Sequence, residues 1–154
     1  MAVEIERKFR LAVLPPWIAE CDSVAIQQGY LALEPDREVR VRRAGDHRTL
    51  TVKSGRGLAR GEVEVELSVA QLEALWPLTE GRRVEKRRYR RDAPEGTYEI
   101  DVYEGELSGL LIAEMEFDSL EQSDSFHPPA WLVDEVTGEE RYANRTLAER
   151  GFAA

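Results

Sequence analysis

Apolar and polar residues alternate with period two through most of this chain. Val3, Ile5, Phe9 and Leu11 interleave with Glu4, Glu6, Lys8 and Arg10, and Arg7 breaks the apolar side. Residues two apart share one face of a strand, so this opening is predicted as a strand. Pro15-Pro16 opens a short helical stretch through Trp17, Ile18 and Glu20, because proline suits a first turn. Further strands are predicted over 27–31, 38–42 and 50–53, with Ala44-Gly45-Asp46 as a turn and Ser54-Gly55-Arg56-Gly57 as a loop. Gly61 precedes Glu62-Val63-Glu64-Val65-Glu66-Leu67, which alternates cleanly. Ser68 is placed to cap a helix over 69–76, with Val69, Leu72, Leu75 and Trp76 on one side and Pro77 ending it. Strands follow over 84–91, 97–103 and 111–117. A short helix over 119–126 is stopped by Pro128-Pro129, and a last helix over 139–150 is stopped by Gly151. About eight strands and a few helices result, in one domain over 1–154, with no solenoid repeat.

The polar sides of these strands carry charge sorted by sign. Glu4, Glu6 and Lys8 share the first strand's face; Arg40 and Arg42, Lys53 with Thr51, and Lys86 and Arg88 supply cations. Glu62 and Glu64, Glu99 and Asp101, and Glu114 and Glu116 supply paired carboxylates. Their neighbours Ile5, Val39, Val41, Val52, Val63, Val65, Ile100, Val102, Met115 and Phe117 are apolar. One reading is a solvated sheet face whose opposite charges pair across strands, at about 0.2–1 kcal/mol a pair. The other rests on the like pairs at i, i+2. Like charges about 4 Å apart repel by about 1 kcal/mol in water and about 4 kcal/mol at an effective dielectric of 20. A ligand carrying both signs offsets that cost, and a divalent metal with a polyphosphate is such a ligand. Carboxylates hold a hard cation, and Arg and Lys hold phosphate oxygens.

Length and composition narrow the setting. A chain of 154 residues, 42% hydrophobic, can bury a real core. A net charge of −9 argues against attraction of the whole molecule to nucleic acid or an acidic membrane. One cysteine, Cys21, leaves no internal disulfide and points to a reduced, cytoplasmic setting; no signal peptide or apolar run of membrane length stands out. Cys21 lacks a Cys-His-Asn context, so a bland thiol is the better reading. The seven basic residues between Arg82 and Arg91 suggest an RNA-binding patch. Strand geometry instead sends Lys86, Arg88 and Arg90 one way and Arg87 and Arg91 the other. Glycines near Lys53-Ser54 stand in the wrong order for a P-loop, and a hairpin connection fits better, with Arg60 in reach of a phosphate. His47, assigned to a turn, and His127 are isolated and make poor evidence for zinc. Trp17, Trp76 and Trp131 read as packing residues.

Taken in order, Glu4-x-Glu6-x-Lys8, Gln28-Gly29-Tyr30, Arg40-x-Arg42, Lys53, Glu62-x-Glu64, Lys86-x-Arg88, Asp101 and Glu114-x-Glu116 resemble the CYTH superfamily, the triphosphate tunnel metalloenzymes. Val136-Thr137 and Tyr142-Ala143-Asn144 look like its short bacterial inorganic triphosphatases. The resemblance spans nearly the whole chain. It implies an α+β fold: an antiparallel eight-stranded β-barrel forming a charged tunnel, with helices packed outside. It implies that Arg40, Arg42, Lys53 and Arg88 bind a triphosphate, assisted by Lys8. Glu4, Glu6, Glu114 and Glu116 would hold Mg2+ or Mn2+, and Glu62, Glu64 and Asp101 would support a second metal or the attacking water. Lys86 would activate that water, and Tyr30 would modulate substrate preference. Inorganic tripolyphosphate, cleaved to pyrophosphate and phosphate, is the leading substrate, since no insertion is evident to recognise a base. Nucleoside or thiamine triphosphate hydrolysis, cyclisation of ATP, and non-catalytic binding of polyphosphate or nucleotide stay open. A homodimer is compatible with the resemblance.

Overall fold

The computed structural model describes residues 4–55 and 61–152. Val3, and the loop with Arg60, lie outside the described residues. Nine strands are present among them: β1 (Ile5–Leu11), β2 (Ser23–Glu34), β3 (Arg37–Ala44), β4 (His47–Ser54), β5 (Gly61–Glu66), β6 (Arg83–Ala93), β7 (Gly96–Tyr103), β8 (Leu111–Phe117) and β9 (Leu132–Glu135). Three α-helices join them: α1 (Val69–Leu75), α2 (Leu120–Ser125) and α3 (Asn144–Arg150). The chain divides into two compact units, Met1–Val24 with Lys86–Glu140 and Ala25–Glu85 with Arg141–Ala154.

In the first unit the ladder runs β6-β7-β8-β1-β9, antiparallel throughout. Its apolar side gathers Phe9, Leu11, Tyr98, Ile100, Ala113, Met115 and Phe117, joined by Phe126 after α2 and Leu132 of β9. Each large side chain buried there contributes about 1.5–3 kcal/mol. Trp17 and Trp131 pack against this cluster and against each other, with ring centroids 5.9 Å apart. Arg7, which interrupts the apolar alternation, acts as a clasp on this side. Its Nε and Nη2 donate to both oxygens of Glu135 at 3.0 and 2.7 Å, and its Nη1 donates to the Ser123 carbonyl. The guanidinium also lies 5.3 Å from the centre of the Phe9 ring. One arginine thereby ties β1 to β9 and α2.

In the second unit the ladder runs β5-β4-β3-β2, again antiparallel. The expected turn at Ala44-Gly45-Asp46 joins β3 to β4, and Gly45 takes a φ of 60°, which glycine adopts without strain. Gly29 is required for a different reason: a Cβ there would sit 2.5 Å from the Thr79 hydroxyl oxygen. Ser68 caps α1 as predicted, in a reciprocal pair with Gln71. Pro77 ends α1 by turning the chain into a 3-10 segment, Trp76–Thr79.

Several expectations need correction. The eight-stranded barrel becomes nine strands, and each ladder is open, beginning and ending on different strands. The extra strand is β9, four residues long. The single helix over 139–150 is broken: a 3-10 turn, Glu140–Tyr142, is followed by extended Ala143 and then α3. Tyr142, 1% exposed, is buried at that break. His47 opens β4 and does not lie in a turn. On β5 the apolar side is exposed, Val63 by 64% and Val65 by 48%. No described helix is long and apolar enough to cross a membrane.

Candidate functional site

In the first unit, the polar sides of β1, β6, β7 and β8 carry Glu6, Lys8, Lys86, Arg88, Glu99, Asp101, Glu114 and Glu116. Register brings them close: Glu6 opposes Glu116, Lys8 opposes Glu114, Glu99 opposes Glu114, and Arg88 opposes Asp101. Glu4 lies just before β1 and is exposed.

The deepest group is Lys86, 1% exposed. Its Nζ donates to Asp101 Oδ2 at 2.8 Å. Arg88 binds the same carboxylate with two nitrogens, Nε to Oδ1 at 2.8 Å and Nη2 to Oδ2 at 3.0 Å. Its Nη1 meets Glu99 at 2.9 Å. Burial alone would raise Asp101, but Lys86 and Arg88 outweigh it and hold the carboxyl down at about 2. Both Asp101 oxygens are thus engaged by cations. Arg88, expected to bind phosphate, is held by Asp101 and Glu99 in this arrangement.

The remaining carboxylates are crowded against one another. Partial desolvation and the adjoining Glu114 push Glu6 up to about 7. Glu6 remains an exposed residue, so the charge and hydrogen bond of Glu114 are the firmer cause. A hydrogen bond with Glu99, followed by desolvation, pushes Glu116 up to about 7. A carboxyl hydrogen-bonded to a carboxylate holds a proton where a cation would also serve. Lys8 is 3.8 Å from Glu114, a loose ion pair. Among the described residues no three carboxylate, imidazole or thiol groups form a ready-made metal cage. The crowded pairs nevertheless fit a hard divalent cation in donor type.

In the second unit, the polar sides of β2, β3, β4 and β5 carry Gln28, Tyr30, Glu38, Arg40, Arg42, Thr51, Lys53, Glu62 and Glu64. Gln28 opposes Arg42, Tyr30 opposes Arg40, and Lys53 opposes both Glu38 and Glu62 in register. Arg40 Nε is buried and has no hydrogen-bond acceptor among the described residues. A buried guanidinium donor without an acceptor is costly, and an anion would satisfy it. Glu62 and Glu64 are exposed on β5, and Glu64 accepts a 3.3 Å hydrogen bond from the Thr51 hydroxyl. Tyr30 is buried, and its phenol is pushed up first by that burial and then by Glu38.

Two residues escaped the sequence reading. Glu38 is 5% exposed and stands at i, i+2 from Arg40, so the alternation already put it on the charged face. Gln28 was visible only as part of a motif, yet it is fully buried and bonded on both sides. The basic run from Arg82 to Arg91 is largely engaged within the protein. Arg83 stacks on Trp76 at 4.6 Å, Arg87 donates to Ser23, Arg91 lies over Trp17 at 4.9 Å, and Arg90 faces Glu99.

The chain is 46% identical over 147 residues to the inorganic triphosphatase of Nitrosomonas europaea, covering 94% of this chain and 96% of that protein. It is 36% identical over 154 residues to the inorganic triphosphatase of Acetivibrio thermocellus, covering 99% and 97% respectively. The fold superposes on a crystal structure of the inorganic triphosphatase NE1496 with a TM-score of 0.81 at 43% identity, covering 97% of this chain and 96% of that one. The CYTH domain model matches residues 2–152 and takes in both the crowded carboxylates and the Arg40–Arg42 face, so the chain belongs to the CYTH domain family.

Proposed function

We propose that this protein is a divalent-metal-dependent triphosphatase that cleaves inorganic tripolyphosphate to pyrophosphate and phosphate. The observation that carries the reading is the pair of crowded carboxylate contacts, Glu6 with Glu114 and Glu99 with Glu116, which push Glu6 and Glu116 up to about 7. The buried Arg40 Nε, without an acceptor among the described residues, supports an anionic ligand. Full-length likeness to two inorganic triphosphatases supports the substrate class.

Glu4, Glu6, Glu114 and Glu116 hold Mg2+ or Mn2+, with Glu62 and Glu64 available to a second ion; bound there, the cation supplies charge stabilisation to the phosphoryl oxygens. Arg40, Arg42 and Lys53, with Lys8, bind phosphate oxygens, and Arg88 does so from its place beside Asp101. Water attacks the terminal phosphorus, the bond to the bridging oxygen breaks, and pyrophosphate leaves with the electron pair. Lys86 Nζ takes the water proton. Its resting ion pair with Asp101 favours the ammonium, so Nζ must first leave that pair and give its own extra proton to solvent before it can accept one. Arg88, bound to Asp101 through two nitrogens, keeps the carboxylate satisfied when Lys86 does so.

The test is phosphate, pyrophosphate and cyclic-nucleotide release from a panel of tripolyphosphate, ATP and thiamine triphosphate, with magnesium or manganese. Tripolyphosphate turnover that needs metal is expected, and Lys86→Ala should abolish it without loss of the fold. Unchanged turnover in Lys86→Ala sinks the role given to Lys86. Cyclic nucleotide as product, or binding without any release, sinks the triphosphatase reading.

A further inference from the structure

Trp17, Tyr98 and Trp131 meet on the apolar side of the first unit. Their ring centroids lie 5.5, 5.6 and 5.9 Å apart. Together with Pro129 and the turn between β6 and β7, they line a cavity of about 280 Å3. That is close to the lower end of the ~300–1,000 Å3 that small-molecule sites span. Side chains alternate along β7, so Tyr98 points away from Glu99. The cavity therefore lies on the opposite face of the sheet from the crowded carboxylates. Three charged side chains reach it: Arg91, Asp92 and Glu95. Asp92 is already engaged, accepting from the Thr97 hydroxyl at 3.0 Å and lying 3.7 Å from Arg90. Arg91 is held over the Trp17 ring at 4.9 Å and has no carboxylate partner among the described residues. Glu95 has no cationic partner among them. Both stand near the Tyr98 phenol: burial and then Glu95 push it up to about 12, while Arg91 pulls the other way.

One aromatic cavity thus carries one cation and one anion that the protein does not pair. Contact with a ring engages the face of a guanidinium and leaves its N–H donors, which lie in its plane, for a carboxylate. A glutamate in the same cavity accepts from an ammonium. The rings supply apolar area and favour a further ring in edge or offset contact. A ligand bearing one charge would leave the other rim charge unanswered, whereas a zwitterion meets both. We propose that this cavity binds a free α-amino acid with an aromatic side chain, its carboxylate on Arg91, its ammonium on Glu95 and its ring against Trp17, Tyr98 and Trp131. The site stands apart from the charged face of the sheet and does not depend on the function proposed for that face.

The experiment measures three probes against the full chain by calorimetry and by tryptophan emission. L-phenylalanine carries both charges, phenethylamine lacks the carboxylate, and 3-phenylpropanoate lacks the ammonium. L-phenylalanine should bind saturably with a Kd of about 1 mM or tighter, as a ligand of its size allows. Each single-charge probe should bind about tenfold more weakly, the size of one charge-assisted hydrogen bond. Arg91→Gln should weaken L-phenylalanine about tenfold and leave phenethylamine unmoved, because the lost partner is the carboxylate's. Glu95→Gln should weaken L-phenylalanine likewise and leave 3-phenylpropanoate unmoved. Both side chains are exposed, and thermal melting checks that the variants stay folded. If Arg91→Gln loosens the Trp17 contact, Glu95→Gln and the comparison of probes on unaltered protein carry the test. No saturable binding of L-phenylalanine at about 10 mM, tenfold above the expected Kd, overturns the site. Equal Kd for the three probes overturns recognition of a zwitterion. An L-phenylalanine Kd unmoved in both variants places the ligand elsewhere and overturns the assignment.

Discussion

Two arginine–carboxylate contacts in the same unit show how burial sets the worth of a charge. Arg7 and Glu135 make a two-nitrogen contact, but their side chains are 23% and 40% exposed. Solvent screens such a pair, and its contribution is at most about 1 kcal/mol. Asp101 is 3% exposed and answers both Lys86 and Arg88. Asp101→Asn removes the counter-charge of a lysine whose side chain has no exposure. We expect a loss of about 3–5 kcal/mol, read from the urea midpoint, against about 1 kcal/mol or less for Glu135→Gln. Equal losses in the two variants would contradict this account of the Lys86 environment. At this scale the sequence revealed charge sign but not partnership. Lys86, Arg88 and Asp101 were legible as a charged set because alternation put them on one face. That Asp101 is spent on two cations depends on the β6–β7 register, which no single strand encodes. Gln28 stood in a motif but drew no role, because a neutral amide carries no charge signal; in the structure it bonds Arg42 on one side and Tyr30 on the other.

Elements were readable where alternation ran for five residues or more. β5 and β8 follow the pattern almost residue for residue. β9 did not register because Leu132-Val133-Asp134-Glu135 is too short to show a period. Its partners hold it: the backbone of β1, the Arg7 clasp, and Thr137, whose hydroxyl meets Glu135 at 2.7 Å and accepts from the Lys8 amide at 2.9 Å. The break before α3 was hidden for a similar reason. Helix propensity is continuous over 139–150, and the burial of Tyr142 overrides it. Gly29 tests the close approach of β2 to the 3-10 segment at Thr79. Thr79 cannot easily yield, since its hydroxyl donates to the Trp76 carbonyl and accepts from Arg83. Gly29→Ala should therefore cost about 1–3 kcal/mol, as overpacking does. Ser68→Ala, which removes only the α1 cap, should cost about 1 kcal/mol. Denaturation midpoints of the two variants check the order, and a harmless Gly29→Ala would refute the close approach.

For the molecule as a whole, a net charge of −9 means that added cations should stabilise it, and the carboxylate pairs say where and at which pH. Glu6 and Glu116 rise from 4.5 to about 7 on folding. Between those values the native state holds protons that the unfolded chain has released, so stability falls as pH rises through that window. Asp101 behaves oppositely: its contribution is complete above 3.8 and is lost as pH falls towards about 2. From about pH 5 to about pH 8 the crowded carboxylates release their protons, and metal-free protein should lose stability across that interval. On the proposed function, a divalent cation would replace the same protons. Magnesium or manganese should therefore raise the urea midpoint strongly at about pH 8 and little at about pH 5, because a ligand stabilises only as far as it binds the native state. Glu6→Gln together with Glu116→Gln should flatten the pH dependence and remove most of the metal effect. If the metal-free protein is as stable at the higher pH as at the lower, the carboxylates are not crowded in solution. A metal response that survives the double substitution would place the ion elsewhere on the molecule.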